Sequence, residues 1–114
     1  MAGCLFCNMV AGKIPADVVL DNEHVLAFRD IRPVAPVHAL VIPKVHVAGI
    51  HEATPEHAAV LGQVMLAARD VAEKLGLGPG GYRLVINQGA DAGQSVFHLH
   101  CHVLGGRPMA WPPG

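Results

Sequence analysis

His98-Leu99-His100-Cys101-His102-Val103-Leu104 sets three histidines at alternate positions of an apolar run. In an extended chain successive side chains point to opposite faces, so His98, His100 and His102 would share one face, about 6.6 Å apart, with Leu99, Cys101 and Val103 on the other. Residues 98–104 therefore predict a strand that is buried on one side and chemically armed on the other. The plain alternative is a solvated strand face that tolerates histidine. Two functional readings stand beside it: a zinc ion held by the three imidazoles with water in an open position, or one neutral imidazole attacking an electrophile while its neighbours position substrate and handle protons. Gly93-Gln94-Ser95, just upstream, favours the second. A backbone free to approach closely, an amide and a hydroxyl suit anionic phosphate oxygens, and zinc does not require them.

Upstream of this run, residues 82–87 read as another strand, joined to it by the Gly-, Ala- and Ser-rich stretch 88–96. Thr54-Pro55-Glu56 is a helix start, with a hydroxyl to cap free N–H groups and a proline where no N–H is needed. The helix should run to about Leu75, with Val60, Val64, Ala67, Ala68, Val71 and Leu75 on one face and Gly76 closing it. Residues 18–20 and 25–30 predict a hairpin across Asp21-Asn22-Glu23, and residues 38–43 a third strand closed by Pro43. The expected fold is α+β: about five strands in a mostly antiparallel sheet, one long helix and a short N-terminal helix, in a single domain over residues 1–114. The strand order is not readable from the sequence.

The chain has 114 residues, 52% hydrophobic and 15% charged, which excludes the composition of disordered chains. Eight Lys and Arg against nine Asp and Glu leave no basic run for duplex nucleic acid. No apolar stretch approaches the roughly 18 residues of a membrane span, and no basic segment precedes the apolar start, so a cytoplasmic protein without a membrane partner is expected. No cluster of carboxylates suggests a catalytic Mg²⁺, and nothing calls for an organic cofactor. Cys4 and Cys7 form a C-x-x-C, which could face one metal ion from a helical turn but needs two further ligands. The alternative is a reduced pair beside an apolar slot; a thioredoxin-like role is disfavoured because no strand precedes it.

Taken together the chain resembles the histidine triad (HIT) superfamily, whose motif His-φ-His-φ-His-φ-φ, with φ apolar, is matched at every position from His98 to Leu104. Residues 6–16, Ala27-Phe28-Arg29-Asp30-Ile31, Pro36-Val37-His38 and Val41-Ile42-Pro43-Lys44 support the resemblance. Gly93-Gln94-Ser95-Val96-Phe97 and the ending Gly105-Gly106-Arg107-Pro108-Met109-Ala110-Trp111-Pro112-Pro113-Gly114 resemble its Hint branch of purine nucleoside phosphoramidases.

The resemblance implies a hydrolase that cleaves the P–N bond of purine nucleoside 5′-phosphoramidates, of the AMP–amine or AMP–lysine type, through a nucleotidyl-histidine intermediate. It makes His100 the nucleophile, His98 its orienting neighbour, His38 a proton manager, and His102 with Ser95 the contacts to phosphate oxygens. It implies that Asp30 binds both ribose hydroxyls. Leu5, Phe6, Met9, Phe28 and Ile31 would line the purine slot, with Arg29, Asn87, Gly93, Gln94 and Val96 also in the nucleotide site. By likeness to bacterial members that begin with C-x-x-C, Cys4, Cys7, His46 and His98 would hold a structural zinc. A homodimer is implied, with Trp111 in a tail reaching the partner's site. The rival readings are a dinucleoside polyphosphate hydrolase, a zinc-dependent hydrolase using the histidine cluster, and a non-catalytic nucleotide sensor.

Overall fold

The computed structural model describes residues 3–114. A short helix α1 (Leu5–Val10) leads into strands β1 (Val18–Asp21), β2 (Val25–Arg29) and β3 (Val37–Pro43). Two single 3-10 turns, Ile50–Glu52 and Pro55–His57, precede the long helix α2 (Ala58–Lys74), and β4 (Tyr82–Val85) and β5 (Cys101–Gly105) complete a five-stranded antiparallel sheet of order β1-β2-β3-β5-β4. The turn between β1 and β2 is set by Asn22, whose Oδ1 accepts from the amides of His24 and Val25. The expected α+β class and the single long helix are found.

Period-two alternation sends each strand's residues to two different layers. Val25, Ala27, Ala39, Val41, Cys101 and Val103 face α2, which presents Val64, Ala67, Ala68, Val71 and Ala72. Leu26, Phe28, Leu40 and Ile42 face the other way and are covered by Phe6 of α1. The alanines let helix and sheet approach closely, so Ala68→Leu should overpack this layer and cost about 1–3 kcal/mol, read as a lowered urea midpoint at unchanged slope.

The helix begins later than expected as an α-helix, because Thr54 closes a 3-10 turn with His57 first, and Leu75 is its cap. The strands expected over 25–30 and 82–87 stop at Arg29 and Val85. The larger correction concerns residues 98–104. Only Cys101–Gly105 is strand, its ladder ending where Val41 pairs Cys101. Two residues further along β3, Pro43 has no N–H to offer, and its carbonyl accepts from the Nε2–H of His98 instead. The backbone peels away, with Leu99 N donating to Val47 O at 2.6 Å. The three motif histidines therefore do not stand as one row on one strand.

Candidate active site and metal cluster

The peeling of the chain before β5 divides the histidines into three environments. His102 lies on β5 next to His38 of β3, with His38 Nε2 and His102 Nδ1 2.9 Å apart. The Val34 amide donates to His38 Nδ1 at 3.1 Å, and an amide can only donate, so His38 carries its proton on Nε2. That proton goes to His102 Nδ1, and Asp30 Oδ2 stands 3.4 Å from His38 Nε2. His102 is thereby fixed with its own proton on Nε2, a buried nitrogen without a hydrogen-bond partner among the described residues. An orphaned buried donor costs roughly 1–3 kcal/mol, so it marks a place where a ligand acceptor is awaited.

His100 is held differently. Its Nδ1–H donates to the His98 carbonyl at 2.7 Å, and Phe6 packs edge-on with ring centroids 5.3 Å apart. The carbonyl fixes the tautomer, leaving Nε2 as the lone-pair nitrogen of a ring that lines a cavity of about 500 Å³. The same cavity is lined by Leu5, Phe6, Met9, Phe28, Arg29, Asp30, Ile31, Ser95, Val96 and His102. Its size suits a small organic ligand.

Not every expected nucleotide residue reaches it. Gln94 is buried in the loop itself, where Nε2 donates to the carbonyls of Ala48 and Val96 while Oε1 accepts from Gly89 N. Gly93 is the αL residue that bends this loop, with φ +84°. Neither these two nor Asn87 lines the cavity, and Trp111 is 80% exposed on the tail. Conversely Pro15, Ala16, Asp17, Arg32 and Leu40 line it without having been singled out. Leu40 was legible in principle, since it follows His38 by two residues in the same strand and so shares its face.

His98 belongs to a third group. Its Nε2–H is spent on Pro43, so its Nδ1 lone pair faces Cys4 Sγ at 3.3 Å, Cys7 Sγ at 3.5 Å and His46 Nδ1 at 3.2 Å; Cys7 Sγ is 3.3 Å from His46 Nδ1. Around a tetrahedral zinc with usual bond lengths, S···N and N···N separations are about 3.6 and 3.3 Å. Four soft donors converging at those spacings, one with its tautomer set by a backbone carbonyl, fit such an ion. Asp30, His38 and His102 also lie close together, but there the His38 nitrogen facing the others bears a proton, so this group is a hydrogen-bond relay. No arrangement gathers His98, His100 and His102 around a single ion, which removes the geometric basis of a zinc hydrolase built on all three.

Burial shifts these groups. Desolvation lowers the pKa of His38, against the pull of Asp30, and lowers that of His98. His102 is pushed down to about 4 by desolvation and then by its histidine neighbours. Burial raises Cys7, and raises Cys101, which faces the α2 layer, to about 11. The His102 shift has a checkable sign. A native pKa below the unfolded value near 6.5 means that the unfolded chain binds the extra proton, so stability falls as pH drops from about 6.5 to 4. With partial exposure discounted, this amounts to about 1–2 kcal/mol. Urea midpoints for wild type and His102→Asn should differ in pH slope across that window.

The HIT domain matches residues 11–109. An uncharacterized HIT-like protein of Synechocystis is 51% identical over 110 residues, covering 96% of each chain. The crystal structure of a HIT family hydrolase from Legionella pneumophila superposes with a TM-score of 0.95 at 48% identity, covering 98% of this chain and 100% of that one. A histidine triad nucleotide-binding protein from Candida albicans gives 0.82 at 29% identity, covering 96% and 83%. In the described residues no helix is long and apolar enough to cross a membrane. With its motif, sheet order and paired histidines in place, the chain belongs to the HIT domain family.

Proposed function

We propose that this protein hydrolyses the P–N bond of purine nucleoside 5′-phosphoramidates, with His100 as nucleophile. The observation that carries this reading is the 2.7 Å bond from His100 Nδ1–H to the His98 carbonyl, which turns Nε2 toward a cavity with an apolar end and a hydroxyl. The similar L. pneumophila protein is called a hydrolase and the C. albicans one nucleotide-binding. The assignment to the Hint branch rests on residues 93–97 and on the ending Trp111-Pro112-Pro113-Gly114.

The purine enters between Phe6, Met9, Phe28 and Ile31, and the ribose diol meets Asp30. His100 Nε2 attacks phosphorus, the P–N bond breaks, and the departing amine takes the proton that the His38–His102 pair must first have gained beyond its neutral state, since it leaves poorly as an anion. The unpartnered His102 Nε2–H donates to a phosphoryl oxygen. Water then attacks phosphorus and releases His100 Nε2, returning its proton to the pair. Cys4, Cys7, His46 and His98 would hold a zinc ion, which would supply structural cross-linking; the chain's own part is to fix the His98 carbonyl beneath the nucleophile. A homodimer is supported by the exposed Tyr82 and Leu84 on edge strand β4.

The test is a brief incubation with an AMP–amine substrate, a quench without acid, and intact mass. A nucleotidyl adduct on wild type that is missing from His100→Asn is expected; wild-type turnover with no adduct under any quench time would overturn the covalent route. Faster cleavage of diadenosine tetraphosphate than of the phosphoramidate would transfer the site to the rival substrate class. For the sugar, a 2′,3′-dideoxy substrate should lose about 10–100-fold in kcat/KM, the worth of one or two hydrogen bonds to a carboxylate. Asp30→Asn should shrink that discrimination, and an unchanged ratio would remove Asp30 from ribose binding.

A further inference from the structure

A second cavity lies behind the Ser95–Val96 wall of the first. It is a groove of about 590 Å³ lined by Gly3, Cys4, His46, Ala48, Ser95, Val96 and the exposed Phe97. Two of the four residues in the sulfur and imidazole cluster, Cys4 and His46, form part of its wall, so the cluster is open to small solutes on a face distinct from the nucleotide cavity. Buried structural metal sites do not offer this.

The two thiols are also placed to react with one another. Cys4 is the cap of α1 and its Sγ accepts from the Cys7 amide at 3.3 Å, which folds the C-x-x-C back on itself. The ligand atoms of the cluster all lie within 4.8 Å of one another. Residues three apart across a helical turn have Cβ atoms about 5–6 Å apart, from which a modest closure reaches disulfide geometry. The third thiol, Cys101, is fully buried in the α2 layer and takes no part.

What the cluster holds is the catalytic backbone. His98 is pinned by Pro43 on one nitrogen and faces the cluster with the other, and its carbonyl carries His100 Nδ1. We propose that Cys4 and Cys7 are an oxidisable pair whose conversion to a disulfide by a peroxide ejects the metal, loosens His98 and switches the His100 site off. The chemistry balances. The Sγ of Cys4, a residue that borders the groove, attacks one peroxide oxygen; the O–O bond breaks, an S–O bond forms and, with one proton, water leaves. Cys7 Sγ then displaces the sulfenic oxygen, which takes a second proton and departs as a second water. The sulfurs lose two electrons, the peroxide gains two, and the metal ion departs because a disulfide is no longer an anionic ligand. A reducing thiol reverses the step and rebinding of zinc restores the clamp. The switch rests on the role given to His100, whereas the oxidation itself does not.

The experiment treats purified, zinc-loaded protein with hydrogen peroxide at a few equivalents. It follows zinc release with a chromophoric chelator, intact mass, peptide mapping and phosphoramidate turnover on the same samples. The expected result is one zinc released per chain, a loss of 2 Da mapped to Cys4–Cys7, and turnover reduced at least tenfold on the same time course, all reversed by dithiothreitol and zinc. Under the same treatment Cys7→Ser should gain 16 Da at Cys4 and lose no 2 Da. Protein that keeps its zinc, that carries none to begin with, or whose oxidation maps to methionine overturns the proposal. Disulfide formation and zinc release with turnover intact overturn the switch. Protein with no turnover before treatment refutes the phosphoramidase reading, and zinc release and mass then still decide the oxidation.

Discussion

His100→Asn should lower phosphoramidate turnover by about 10⁴-fold or more, roughly 5.5 kcal/mol of barrier, with little change in folding. The asymmetry comes from the ring's two nitrogens. The side-chain amide of asparagine overlays the Nδ1 side of imidazole, so it can still donate to the His98 carbonyl now 2.7 Å from Nδ1. It has nothing at the position of Nε2. The variant therefore keeps the backbone arrangement before β5 and loses only the lone pair that would form the bond to phosphorus. AMP binding should change by less than tenfold, because the proposed contacts to base and ribose, Phe6, Phe28 and Asp30 of the cavity wall, are left in place by the substitution. Titration calorimetry with AMP and steady-state kinetics read the two halves separately. Retention of more than a tenth of wild-type turnover would show that another group carries the chemistry.

Local chemistry made much of this molecule legible. The turn at Asn22, the Thr54-Pro55 start and the alternating apolar positions of β2 and β3 each depend on near neighbours, and the structure puts elements there. The alternation over residues 98–104 misled for a reason that lies 55 residues away. A period of two describes the side chains, but a strand also needs a partner with a free N–H, and Pro43 cannot supply one. The same long-range fact decides the site, since it turns His98 out of the row and toward Cys4, Cys7 and His46. The sequence resemblance had already placed those four together, whereas spacing alone reached only the two cysteines. Gln94 shows the limit in the other direction: an amide beside a glycine reads as a phosphate ligand, yet its bonds to Ala48, Gly89 and Val96 shape the loop.

Removing the metal proposed for Cys4, Cys7, His46 and His98 should cost more stability than the Ala68→Leu substitution. The four donors come from the N-terminal turn, from the segment after β3 and from the segment before β5, so one ion would close loops of up to 94 residues. Without it, Cys4, Cys7, His46 and His98 bring lone-pair donors together with no ion to share, and α1 is left to the apolar packing of Phe6, Met9 and Val10 against the sheet. Zinc contributes about 10–16 kcal/mol to peptides that have no other core; this chain has one, so a loss of about 3–5 kcal/mol is the fitting scale. For a domain of this length that lowers Tm by roughly 12–20 °C. Calorimetry before and after dialysis against a strong chelator measures the difference, and Cys7→Ser should melt near the lower value and no longer respond to chelator. An unchanged Tm in protein shown to have lost its metal would mean that the cluster's hydrogen bonds, with His98 held by Pro43, are sufficient to fix this corner of the fold.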